Sequence, residues 1–101
     1  MRHETVHVSE DLEALIPLFM AKRQEDAAAW ADALVRGDAE MLAAIGHRLK
    51  GTCPSYGFTT LGEMGQELEA LARAGALDRA AALLEAFREH LATVTVVVVA
   101  G

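Results

Sequence analysis

A histidine, a lysine and a glycine stand together at His47, Lys50 and Gly51, within the run His47-Arg48-Leu49-Lys50-Gly51. A His and a Lys three residues apart on a helix lie on the same face. The glycine removes side-chain bulk beside them, although in a helix it costs roughly 1 kcal/mol relative to alanine. This combination suits a nucleophilic imidazole that something large must approach, with a cation placed for an anion. A carboxylate near one imidazole nitrogen would fix the tautomer and raise the basicity of the other nitrogen. Glu69 and Gln66, further along the chain, are the candidates for that second group.

These residues need helices to hold them. Residues 1–8 read as an extended lead-in, because Val6 and Val8 alternate with His7. Ser9 is a helix N-cap, followed by the acids Glu10 and Asp11, and a short helix runs to Ile16. Pro17 fits the first position of a second helix, which extends to about Arg36 and is capped by Gly37. Asp38 caps a third helix with an apolar stripe of Met41, Leu42, Ile45, Leu49 and Thr52/Cys53. On that helix His47 points away from the stripe, with Ala43, Lys50 and Pro54 beside it. Pro54 should kink the helix, since its ring meets the carbonyl of Lys50, and Gly57 should end it.

Thr59 or Thr60 caps a fourth helix that closes at Gly75. Its core stripe is Leu61, Met64, Leu68 and Leu71, and Gly62 and Gly65 allow a close helix contact. A separate polar stripe contains Gly62, Gln66, Glu69 and Arg73. A fifth helix starts at Asp78, with Leu77, Ala81, Leu84, Phe87 or Arg88, Leu91 and Val94 on its apolar side. The valine-rich tail after Thr93 favours extended structure, read as a packed terminal extension. Short glycine-marked connections between amphipathic helices predict an all-α protein. Its expected architecture is an antiparallel up-and-down four-helix bundle with a short additional N-terminal helix.

Composition narrows the function classes. The chain has 101 residues, enough for one domain and a modest core, so a single domain over 1–101 with a core of about 10–92 is expected. Its formal net charge of −6 argues against a nucleic-acid partner, which needs clustered Lys and Arg. The single cysteine, Cys53, gives no disulfide framework and fits a reducing cytoplasm. The N-terminus lacks the apolar core of a signal peptide, and no stretch approaches the ~18–20 apolar residues of a membrane span. Met1 and the length favour an independent protein over a piece of a hybrid kinase.

The run His47 to Gly51, then Ser55-Tyr56-Gly57-Phe58, then Gln66-Glu67-Leu68-Glu69 resembles the signature of histidine-containing phosphotransfer (HPt) domains. Leu15-Ile16-Pro17-Leu18-Phe19 and the pair Gly37-Asp38 also fit, so that the resemblance covers roughly residues 10–92. It implies a four-helix bundle and reversible phosphorylation of an exposed histidine by the aspartyl phosphate of a response-regulator receiver domain. It implies that His47 is the phosphoacceptor, through Nε2. Lys50 would stabilise the phosphoryl oxygens, and Gly51 would let the receiver approach. Glu69 would orient the imidazole, a position where many members carry Gln, and Gln66 would stand behind it. Pro54 departs from the small helix-compatible residues usual at that point. The implied partners are receiver domains and a hybrid or sensor histidine kinase, and the chain is expected to be a monomer. Mg²⁺ is expected on the receiver and no cofactor in this chain. With no Gly-rich phosphate loop, the protein is expected to be a phosphocarrier without ATP-dependent kinase activity.

Two other readings are kept. The same surface could bind receiver domains without phosphotransfer, as a non-catalytic helical adaptor. A metal-binding helical bundle would need convergent ligands, and only His3 and His7 show a suitable spacing. Of the remaining residues, Cys53 and Trp30 read as core and His90 as surface. Leu15, Leu18 and Phe19 read as either core or an apolar rim around the histidine face.

Overall fold

The computed structural model describes residues 4–100. Its main elements are four α-helices: α1 (Ile16–Arg36), α2 (Ala39–Thr52), α3 (Thr59–Arg73) and α4 (Leu77–Thr93). Two short strands flank them, β1 (Thr5–Ser9) and β2 (Thr95–Val99).

Local chemistry sets most of the boundaries. Pro17 sits in the first turn of α1, where its missing N–H is no loss. Gly37 takes φ of 64° after Arg36, and its amide closes back on the Ala33 and Leu34 carbonyls. Asp38 then accepts a hydrogen bond from the Met41 amide at 3.0 Å, opening α2 as expected. Gly75, with φ of 70°, turns the chain between α3 and α4.

Several expectations are corrected. The segment after Ser9 forms a 3-10 helix over Glu10–Leu15, not a short α-helix. None of its residues is fully buried and only Leu12 packs against the core, too little tertiary contact to sustain a short α-helix. Pro54 does not kink a continuing helix. The α-helix ends at Thr52, and Pro54 lies in the first turn of a 3-10 segment, Cys53–Tyr56, that closes on Gly57 at φ of 89°. Neither Thr59 nor Thr60 caps α3. Phe58 occupies the cap with its ring fully buried, and the Thr60 hydroxyl bonds the Glu4 carboxylate instead. On α4 the small core residue is Ala80, and Ala81 is exposed. His90 is not a surface residue: its side chain is only 10 % exposed and packs beside Glu4, with Nε2 3.9 Å from Oε1.

The core centres on Trp30, Phe58, Phe87, Leu42, Ile45 and Leu49, all fully buried. Trp30 packs against Phe87 at 5.3 Å between ring centroids, and its indole N–H donates to the Ala80 carbonyl at 3.1 Å. This joins α1 to α4 by both packing and a satisfied buried donor. Cys53 is fully buried, as its apolar surroundings imply. Burial pushes its thiol up to about 11, against the pull of the nearby Arg23 guanidinium, so it is a packing residue and not a reactive thiol.

The valine-rich tail is extended, as its β-branched residues favour. It pairs in parallel with β1, in the register Thr5 to Thr95 through Ser9 to Val99. Val6 and Val8 bury into the core from β1, while Val97, Val98 and Val99 remain exposed. The alternation around His7 marked β1, but no local signal paired it with a segment at the other end of the sequence.

Candidate phosphoacceptor site

The site begins with two glycines that carry no chemistry. A Cβ on Gly46 would lie 2.5 Å from the Gly65 carbonyl oxygen and 2.6 Å from the Glu69 amide nitrogen. A Cβ on Gly65 would lie 2.6 Å from the Leu49 Cβ and 2.7 Å from the Lys50 amide nitrogen. The α2 and α3 backbones therefore approach at a distance that no other residue permits. Gly65 was expected to allow such contact; Gly46 was not singled out. Its signal was a helical glycine on the buried face, next to the histidine. Gly62 serves a different contact, because a Cβ there would strike the Pro54 ring at 2.7 Å.

This approach brings Glu69 under His47. Glu69 is buried on α3, whereas the His47 side chain is 69 % exposed on α2. Glu69 Oε2 lies 3.3 Å from His47 Nδ1 and accepts from Arg73 at 2.8 Å. Its Oε1 accepts from Lys50 Nζ at 2.8 Å. Hydrogen bonds from Arg73 and then Lys50 are the largest causes that lower the Glu69 carboxyl from 4.5 to about 2; the charges of Lys50 and His47 add to this, and burial opposes it. Gly51 has nothing within 4 Å of the position a Cβ would take, so the surface beside Lys50 is open. Gln66 is exposed and makes no side-chain hydrogen bond among the described residues, so it does not join the cluster.

The sign of the Glu69 shift sets a pH dependence. A carboxyl whose folded value is depressed contributes stability above its unfolded value and loses it as pH falls through the folded one. That contribution is expected to fade between pH 4.5 and about 2. Acid unfolding followed by circular dichroism should therefore be less steep in this window for Glu69→Gln than for the original chain. Identical curves would remove the ion pairs from the account.

Of two neighbouring features, the first was not read from the sequence and the second only in part. Arg48, next to His47, donates to Asp26 on α1 at 2.6 Å. Asp26 is buried and also accepts from the buried Arg23 at 2.8 Å, while the Arg23 guanidinium lies over the Phe19 ring. The histidine turn of α2 is thus tied to α1 by a mostly buried ionic cluster. Beside it, an apolar groove is lined by Leu15, Leu18, Phe19, Thr52 and Tyr56, with Lys22 and Arg23 at its edge. Leu15 and Leu18 are exposed and Phe19 is core, so the apolar rim falls to the two leucines.

The Hpt domain family model matches residues 7–95. The chain belongs to this family. No curated protein and no solved structure matches it. The family works by histidine phosphotransfer in phosphorelays, with receiver domains and kinases as typical partners. Among the described residues, no helix of this HPt domain is long and apolar enough to cross a membrane. His3 lies outside the described residues, so the His3/His7 pair is not placed. No group of three or more His, Cys, Asp or Glu suited to a metal ion occurs among the described residues.

Proposed function

We propose that this HPt domain carries phosphoryl groups between receiver domains, with His47 as the acceptor. The observation that supports it most is the His47–Glu69–Lys50 arrangement: an exposed imidazole with one nitrogen directed at a buried carboxylate and a cation on the same carboxylate.

The chemistry follows from that arrangement. With its proton on Nδ1, facing Glu69, the imidazole presents a free lone pair at Nε2. The 3.3 Å separation is within reach of a hydrogen bond after a small rotation of an exposed ring, as is common before a partner binds. Nε2 attacks the phosphorus of an aspartyl phosphate. An N–P bond forms, the P–O bond breaks, and the carboxylate leaves on the receiver. The phosphorylated ring keeps its proton on Nδ1 and carries positive charge, which the Glu69 carboxylate balances. Return of the phosphoryl group reverses each step. In-line positioning and charge stabilisation carry most of such a reaction, so a small domain with no nucleotide site suffices. In this reading Lys50 turns from Glu69 to the phosphoryl oxygens, Gly51 leaves room for a protein-sized donor, and the exposed Leu15 and Leu18 give that donor an apolar surface.

The same reading takes 1–101 as one domain working as a cytoplasmic monomer. Its helices alternate up and down, as short connections such as Gly37–Asp38 require of neighbours.

The test is incubation with a radiolabelled, phosphorylated receiver domain. Label resistant to alkali and lost in acid should transfer to the protein. Lys50→Ala should slow transfer about tenfold, the worth of one charge-assisted hydrogen bond, while leaving the fold intact. Undiminished labelling of His47→Gln would overturn the assignment.

A further inference from the structure

A second polar cluster lies away from His47, at the root of the strand pair. His90, in the last turn of α4, has its Nε2 buried and without a hydrogen-bond partner among the described residues. Glu4 Oε1 is 3.9 Å from it, too long for a hydrogen bond. Buried polar atoms are normally paired, so this orphan is a defect that a change of charge can repair.

Glu4 is the group that ties the strand pair to the helices. Its Oε2 accepts from the Thr60 hydroxyl in the first turn of α3, and its backbone carbonyl accepts from the Thr95 amide at 2.8 Å. That bond stands beside the first pair of the β1–β2 register, Thr5 with Thr95. The sheet needs such a tie, because a two-stranded sheet is marginal by itself and β2 leaves Val97, Val98 and Val99 exposed.

Among the described residues, Glu4 is the one carboxylate within ion-pair distance of the His90 ring nitrogens. On the surrounding elements, Glu63 near the start of α3, Arg88 and Glu89 near the end of α4, and His7 on β1 are all exposed. The β2 strand carries no charged or titratable side chain.

We infer that His90 and Glu4 form a pH-sensitive latch, which fastens the strand pair to the bundle when His90 is protonated and loosens it when His90 is neutral. Protonation puts an N–H on both ring nitrogens, so Nε2 becomes a charged donor towards Oε1 whichever tautomer came before. Histidine is the side chain that ordinarily changes charge between about pH 5 and 8. Burial opposes the charge, but the Glu4 side chain is 35 % exposed, so the pair keeps contact with water. Only the closed state offers the protonated ring this partner. Closure is therefore favoured at the acid end of the range and weakens as pH rises. β1 leads through the 3-10 segment into Leu15, so the latch bears on the apolar groove. It does not depend on His47 being the acceptor.

The test is amide hydrogen exchange followed by NMR at about pH 5.5 and about pH 8, on either side of the histidine range. Protection factors are corrected for the intrinsic pH dependence of exchange and expressed relative to the core amides of α2. The strand amides should be about tenfold better protected at the lower pH, as expected for one charge-assisted hydrogen bond. His90→Gln and Glu4→Gln should each remove this difference, and His7→Gln should keep it. Equal protection at both pH values would overturn the inference. So would a difference that survives in His90→Gln or Glu4→Gln, or one that disappears in His7→Gln.

Discussion

Gly46→Ala is expected to destabilise the protein by about 3 kcal/mol, in the upper part of the range for overpacking a well-filled interior. The direction is not obvious from helix propensity, because alanine in place of glycine gains about 1 kcal/mol in an unconstrained helix. The surroundings decide the sign. The added methyl would meet the Gly65 carbonyl oxygen and the Glu69 amide, both backbone atoms of the facing helix. No side chain can turn aside, so α3 must move as a body. Such a movement carries Glu69 away from His47 and Lys50, and a misplacement of about 1 Å can cost about a hundredfold in rate. Gly51→Ala is the control. It lies in the same helix with nothing within 4 Å, so it should be neutral or stabilising by up to about 1 kcal/mol. Urea unfolding should show a lowered midpoint for Gly46→Ala and an unchanged or raised one for Gly51→Ala, at an unchanged slope. A midpoint for Gly46→Ala at or above that of the original chain would show that the helices are not held in this close contact.

Asp26→Ala should be at least as damaging. Asp26 receives Arg23 and Arg48 together, and Arg23 is as buried as the carboxylate itself. Removing the acid leaves a buried guanidinium without a counter-charge, a change that costs about 3–5 kcal/mol. A domain of this size has only about 5–15 kcal/mol in hand, so the variant should be partly unfolded near body temperature. It also frees Arg48 and loosens the tie between α1 and the histidine turn. A paired apolar replacement, Arg23→Met with Asp26→Leu, removes both charges and should recover most of the loss. Thermal melts of the single and double variants check this directly. A single variant within a degree of the original would mean that Arg23 finds solvent or another acid without cost.

What could be read from the sequence divides along a physical line. Features fixed within one turn of chain were legible: Gly37 and Asp38 between the first two long helices, Pro17 at a helix start, and Gly75 at a helix end. The outward direction of His47 followed from periodicity alone; the polar stripe of the next helix offered Glu69 and Gln66 as its neighbours, and the resemblance to a known family put Glu69 first. Features that depend on which distant segments meet were not legible. Gly46 looks like a weak point in a helix until α3 is laid against it. Arg23 and Asp26 look like a surface pair until Arg48 and the Phe19 ring enclose them. His90 looked exposed because its neighbour Glu4 comes from the other end of the chain. Thr59 looked like a cap because threonine favours that role, but the burial of Phe58 shifted the helix start. The strand pair is the extreme case: both strands carry β-branched residues, yet nothing local says that they join.

The central claim is that His47 Nε2 accepts and releases a phosphoryl group while Glu69 holds the other ring nitrogen. Nitrogen and phosphorus NMR of the protein after exposure to a phosphorylated receiver domain tests this most directly. The account predicts one phosphoramidate signal coupled to Nε2 of His47, with the proton retained on Nδ1, and no such signal in His47→Gln. Phosphorus bonded to Nδ1, or a phosphoramidate signal that persists in His47→Gln, would contradict it.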